Sequence, residues 1–180
     1  MRILETERLI LKPVEVEDLK YLLNLRWDKE VMEYLIHDPI SFKDQTDWYN
    51  SIKKTDVALS IFLKENNELK IIGTIGLYDI KIRHQRAILR VRLDPTQQGK
   101  GYAKEAMNLI LDYGFNTLNL NKIISDSFVD NTAIINLTLK LGFKQEGLLV
   151  GHYFHKGEFR DAYQFGLLRK DFNNRKTSTI

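Results

Sequence analysis

Apolar and polar positions along this chain change period several times, and each change marks an element. RLILKPV, residues 8–14, alternates and predicts a strand. Val16, Leu19, Leu22, Leu23 and Trp27 then recur near helical spacing within EVEDLKYLLNLRWD, and DKEVMEYL continues as a second short helix. SFKDQTDWYNSIKK reads as another helix with Ser41 as its N-cap. ALSIFLKE and KIIGTIGLYDI, parted by NNEL, form a hairpin, and AILRVRLD is a further strand stopped by Pro95. Ala103, Ala106, Met107, Ile110, Tyr113, Gly114 and Leu118 share one face of the next helix. KIISDSFV is a strand, and NTAIINLTLKL is a helix closed by Gly142 as a left-handed cap. Two final strands flank a turn at residues 155–158.

The resulting order, β-α-α-β-β-β-α-β-α-β-β, places strand–helix–strand units in the middle. Such units imply local parallel pairing with helices on the faces, an α/β (α+β) fold. Repeats and linker-like tracts are absent, so residues 1–180 are expected to form one domain, with residues 171–180 as a flexible polar tail.

Composition narrows the chemistry. The chain has no cysteine, which excludes disulfides, thiolate nucleophiles and Cys-ligated metals. The net charge of +3 is too small to argue for nucleic acid. Apolar runs fall short of the roughly 18 residues that span a bilayer, so no membrane partner is expected. MRILETERLILKP has no signal-peptide pattern, and a cytoplasmic protein is the default expectation. Residues 1–60 carry nine Lys/Arg against twelve Asp/Glu, and the remainder carries 18 against 12. That asymmetry raises a cationic partner for the first part and an anionic one for the second.

The stretch DPTQQGKGYAKEAM, residues 94–107, carries the clearest motif. Gly101 stands where a P-loop needs a Ser or Thr to hold magnesium. Lys104 stands where a dinucleotide fingerprint needs a glycine. The pattern Q/R-x-x-G-x-G/A between a strand and a helix fits at Gln98, Gly101 and Ala103. Glycines let backbone N–H groups crowd round a pyrophosphate, the helix N-terminus adds partial positive charge, and Lys100 adds a full one.

Three stretches now resemble the GNAT superfamily of acetyl-CoA-dependent N-acetyltransferases. ETERLILKPVEVEDLKYLLNLRWDKEVMEYL resembles the N-terminal strand and paired helices of the branch that contains the ribosomal-protein N-terminal acetyltransferases. LDPTQQGKGYAKEAMNLILDYGFNTLNLNKI resembles the pyrophosphate motif with its helix, and VDNTAIINLTLKLGFKQEG the segment after it. The stretch from QGKGYA to FHKGEFRDAYQF is also similar to bacterial spermidine/spermine acetyltransferases.

The resemblance implies a mixed, twisted sheet whose central strands, near residues 87–93 and 122–129, splay to admit the pantetheine arm of acetyl-CoA. It places backbone groups of Val91 and Leu93 along that arm, with the Leu93 N–H as oxyanion donor. Gln98, Gly99, Lys100, Gly101, Tyr102 and Ala103 would seat the pyrophosphate, with Asn131 and Asn136 beside the cofactor. No metal is required.

Two positions depart from the family pattern. Thr138 replaces a tyrosine that protonates the leaving thiolate, and Ile88 replaces a glutamate that acts as base through water. A threonine hydroxyl is a poor acid, so Thr138 is a weak catalytic candidate. Asp126, a carboxylate inside a strand, is another. His152 and His155, with pKa values ordinarily near neutrality, are alternative bases. Glu33, His152 and Tyr153 are the candidates for binding the acceptor. Trp27, Trp48 and Tyr49 are expected to pack in the core or at the cofactor edge.

The implied activity is acetyl transfer from acetyl-CoA to a primary amine by direct attack in a ternary complex. A protein N-terminus, a polyamine and an amino sugar or aminoglycoside are the acceptor classes in view. A non-catalytic acyl-CoA-binding module is the contrasting reading. Members of the family are often dimers, which keeps a homodimer open.

Overall fold

The structure, a computed structural model, describes residues 4–34 and 40–177. Eight strands form one mixed sheet: β1 (Leu4–Glu5), β2 (Leu9–Pro13), β3 (Val57–Glu65), β4 (Glu68–Lys81), β5 (Arg86–Leu93), β6 (Lys122–Phe128), β7 (Lys144–His155) and β8 (Glu158–Leu168). Their spatial order is β1-β2-β3-β4-β5-β6-β8-β7. Only β5 and β6 run parallel; the other neighbours are antiparallel. The helices are α1 (Leu19–Arg26), α2 (Lys29–Glu33), α3 (Phe42–Ser51), α4 (Tyr102–Asp112), α5 (Thr132–Lys140) and α6 (Arg169–Thr177).

The period-two pattern decides which side chains enter the core. Leu9, Leu11, Leu59, Ile61, Leu77 and Leu89 pack with Met107 and Ile110 of α4 in the main hydrophobic cluster. The opposite face holds a smaller cluster in which Leu19 and Leu22 of α1 meet Trp48, Tyr49, Ala58 and Ile71. Helices thus cover both faces, as the strand–helix–strand pattern implies.

Local signals act where expected. The Ser41 hydroxyl accepts from the Asp44 N–H at 3.1 Å and closes a reciprocal capping box. Asn66 and Asn67, both left-handed, turn β3 into β4. Gly142 has φ +82° and ends α5. Past α4, residues Tyr113–Thr117 widen into a π-helical turn.

Three features differ from the sequence reading. Two-residue β1 is too short to leave a pattern. Trp27 is 50% exposed rather than buried, and its indole N–H donates to the Ile40 carbonyl at 3.1 Å. Residues 169–177 are helical. Phe172 of this polar helix is 1% exposed with its ring 5.0 Å from that of Phe115, and Arg169 donates to the Leu120 carbonyl at 2.9 Å. The Lys144 ammonium also donates to Asp171 at 3.1 Å.

Phe172→Ala removes that buried ring and should destabilise the protein by on the order of 3 kcal/mol, read by chemical denaturation. A frayed tail would lose almost nothing, so an unchanged midpoint would refute the docked helix.

Candidate active site

β5 and β6 pair only at Arg86–Lys122, Ala87–Ile123 and Ile88–Ile124. Beyond Ile88 and Ile124 they part, while β5 keeps β4 and β6 keeps β8 as outer partners. The stretch Leu89–Leu93, which contains Val91 and Leu93, therefore presents an open backbone edge to a wedge. An extended ligand can pair with such an edge as a strand would. Close β4–β5 approach supports it: a Cβ at Gly73 would overlap the Arg92 carbonyl oxygen.

At the mouth of the wedge, Asp94 caps a short turn by accepting from the Thr96 N–H at 2.9 Å. Gly99 and Gly101 follow at φ +73° and +85°, a region that strongly favours glycine. Gly101 is the N-cap of α4 and has no side chain with which to cap it. Among the described residues no protein group accepts from the N–H groups of Gly99 to Ala103. These unused donors at a helix N-terminus make an anion seat. Gln98 is exposed on the loop, whereas its neighbour Gln97 is buried and accepts from the Lys100 ammonium at 3.0 Å.

Arg8 completes the seat and was missed in the motif. Its guanidinium pairs with Glu105 on the first turn of α4, donates to the Lys100 carbonyl at 3.2 Å and lies 4.8 Å from the Tyr102 ring centre. The entry to β2 thus brings a cation beside the glycines across 92 residues of sequence.

Asn131 is the N-cap of α5, its Oδ1 accepting from the Ile134 N–H at 3.3 Å. That bond fixes α5 on the wedge's second side. Asn136 lies exposed on α5, and Thr138 is 2% exposed inside it.

The face opposite α4 and α5 holds the titratable groups. Asp126 on β6 accepts from the Tyr153 hydroxyl at 2.5 Å. Arg90 on β5 stands across the wedge, 3.9 Å from Asp126. Arg90 and Asp126 each lie two residues past the last β5–β6 pair, so the ion pair spans the opening. Burial, then the hydrogen bond and charge of Asp126, push the Tyr153 phenol up to about 12. It is therefore proton-bearing throughout the neutral range.

The remaining nominated groups surround this core. The Glu33 carboxylate pairs with Lys156 in the β7–β8 turn, which holds it below its ordinary range. Its ammonium partner is thus supplied by the chain itself. Arg160 donates to the Glu33 carbonyl at 3.3 Å, pairs with Asp130 and sits 4.2 Å from the Phe128 ring centre. His152 is exposed, its ring 4.6 Å from that of Tyr153. His155 faces the Phe128 ring at 5.3 Å, with Nε2 buried and unpaired among the described residues.

Several carboxylates of the first sixty residues have structural partners. Asp28 and Asp44 serve helix N-termini, Asp18 accepts from Ser60 at 2.6 Å, and Glu5 pairs with Lys64 at 2.8 Å.

Comparison with known proteins places this geometry. The profile of the acetyltransferase (GNAT) domain matches residues 8–144. The uncharacterized N-acetyltransferase p20 of Bacillus licheniformis is 36% identical over 178 residues, covering 96% of this chain and 99% of that protein. The spermidine N(1)-acetyltransferase of Vibrio cholerae is 32% identical over 169 residues, covering 93% of this chain and 97% of its own. The crystal structure of spermidine N-acetyltransferase from Vibrio cholerae in complex with CoA and spermine superposes with a TM-score of 0.85 at 30% identity, covering 94% of this chain and all (100%) of that one. The wedge, the glycine-framed helix and these likenesses agree: the chain belongs to the GNAT family of acetyltransferases.

Proposed function

We propose that this chain transfers the acetyl group of acetyl-CoA to a primary amine by direct attack in a ternary complex. The observation that carries the reading is the wedge between β5 and β6 ending at an uncapped, glycine-framed helix N-terminus. A pyrophosphate suits the N–H groups of Gly99 to Ala103, with Lys100 and Arg8 as flanking cations. A pantetheine arm suits the open edge at Val91 and Leu93, and the Leu93 N–H is the donor we assign to the thioester oxygen. The CoA held by the Vibrio relative supports this donor. That relative's substrate supports an amine nucleophile, with polyamines and protein N-termini as the acceptor classes within the family.

The amine nitrogen attacks the thioester carbonyl carbon, the C–N bond forms and the C–S bond breaks. One proton must leave nitrogen and one must reach sulfur. Asp126 receives the first and Tyr153 gives the second; their hydrogen bond restores both groups. Protonating Asp126 removes a charge that holds the phenol up, so Tyr153 becomes a better acid as the thiolate leaves. Tyr153 thus takes the role that Thr138 cannot perform. Positioning of both substrates supplies much of the remaining acceleration. Leu148, Val150, Phe154 and Phe159, exposed on the β7–β8 hairpin, are the surface we assign to a second copy.

Gly101→Val should abolish CoA binding in calorimetry, because a β-branched residue strains at φ +85° and crowds the phosphates. Gly101→Ala should weaken binding less; wild-type affinity in a folded Gly101→Val protein would remove the seat. Tyr153→Phe should lower kcat about a hundredfold with CoA affinity retained, whereas Thr138→Ala should cost less than about tenfold. The reverse ranking in steady-state kinetics would return the proton role to Thr138.

A further inference from the structure

Beside the Arg90–Asp126 pair, the acceptor face carries two arginines, Arg26 and Arg92, that form no ion pair among the described residues. Arg92 follows Arg90 on the same face of β5, opposite Thr74 in register, with Arg90 opposite Gly76. A Cβ at Gly76 would lie 2.5 Å from the Tyr78 ring, so this glycine lets the ring lie flat against β4 beside both arginines. From above, α1 contributes Arg26, which is only 7% exposed. Its guanidinium sits 5.9 Å from the Trp48 ring centre, and its Nε has no partner among the described residues. The α1 helix is held there by the Tyr21 hydroxyl, which donates to Asp94 at 2.7 Å.

The three cations act on one another. Burial, then the charge of Arg26, pull Arg92 below its ordinary range, and Arg90 adds to this. All three arginines also act on the Tyr78 phenol. Among the described residues neither Arg26 nor Arg92 forms an ion pair. Nearby carboxylates have other partners: Tyr153 and Arg90 for Asp126, Lys156 for Glu33, Arg160 for Asp130, and the Ile80 N–H at 3.5 Å for Asp56, whose charge also reaches Tyr78. Confined guanidinium groups without counter-charge are costly, and a bound anion removes that cost. The pyrophosphate of the acyl donor is assigned to the other face, at the N-terminus of α4. The anion must then belong to the other substrate.

We propose that Arg92 and Arg26, aided by Arg90, bind an anionic group on the acceptor, so the amine acetylated here carries a carboxylate or a phosphate. This rests on the acetyltransferase reading and departs from the polycation bound by the Vibrio relative. A polyamine would set a second ammonium against uncompensated guanidinium groups; an amine with an anionic tail reaches Asp126 with one end and the arginines with the other. Guanidinium forks suit either oxyanion.

Matched acceptors test this. Propylamine against β-alanine isolates a carboxylate, ethanolamine against O-phosphoethanolamine isolates a phosphate, and spermidine supplies the polycation. We expect kcat/KM for one anionic member to exceed its neutral partner by on the order of tenfold to a hundredfold, through KM, with spermidine below it. In Arg92→Gln and Arg26→Gln that ratio should fall toward one. Inorganic phosphate titrated into the CoA-loaded protein reads the recess without turnover: saturable binding in the wild type, and none in either variant that still binds CoA. Should buried Arg26→Gln fail to fold, Arg92→Gln decides. Spermidine outperforming both anionic amines, or a preference surviving in CoA-binding Arg92→Gln, overturns the proposal. Transfer to no amine at all would sink the acetyltransferase reading instead, and the phosphate titration then decides the recess alone.

Discussion

β5 and β6 hydrogen-bond as parallel neighbours up to Ile88 and Ile124, and past that point each loses the other as a partner. Buried backbone donors and acceptors need partners, so a sheet that opens in its middle is stable only if something fills the gap or the edges meet solvent. Here the outer neighbours β4 and β8 keep both strands extended, and helices on both faces hold the sheet around the opening. The gap is thus a built feature that accepts an extended chain end-on, and the Arg90–Asp126 pair marks its acceptor side.

The two sides of that gap are built by different means. The seat we propose for the acyl donor is made of main-chain N–H groups at a helix N-terminus, shaped by two left-handed glycines. The face we propose for the acceptor is made of side chains from α1, β4, β5, β6 and β7: Arg26, Tyr78, Arg90, Arg92, Asp126 and Tyr153. Charge is managed differently too. Most carboxylates near the site are matched by hydrogen bonds or ion pairs, whereas Arg26 and Arg92 are not matched among the described residues.

Much of this was legible in the sequence because it depends on neighbours along the chain. Alternation gave the long strands, helical spacing gave α1, α3, α4 and α5, and the glycines of residues 98–103 marked the turn into α4. The rest depends on neighbours in space. Helix α6 buries one large apolar side chain, Phe172, too little to stand out from a polar tail. Arg8 reaches the glycine loop because β2 lies beside α4 in the fold. Asp126 and Tyr153 could each be nominated, but their hydrogen bond needs β7 to come round beyond β8. Arg26, Arg90 and Arg92 form no motif in the sequence, because Arg26 meets the other two only in the fold. Trp27 carried the correct spacing and still faces outward, since α1 ends at Arg26 and leaves Trp27 as its C-cap, with the indole N–H turned to the Ile40 carbonyl.

A seat made of main-chain amides is indifferent to most side-chain replacements, because each residue offers the same N–H whatever it carries beyond Cα. A pocket made of side chains changes character with one codon. Under the reading proposed above, likeness to other proteins therefore speaks to the acyl carrier of this chain, and its own arginines speak to the acceptor.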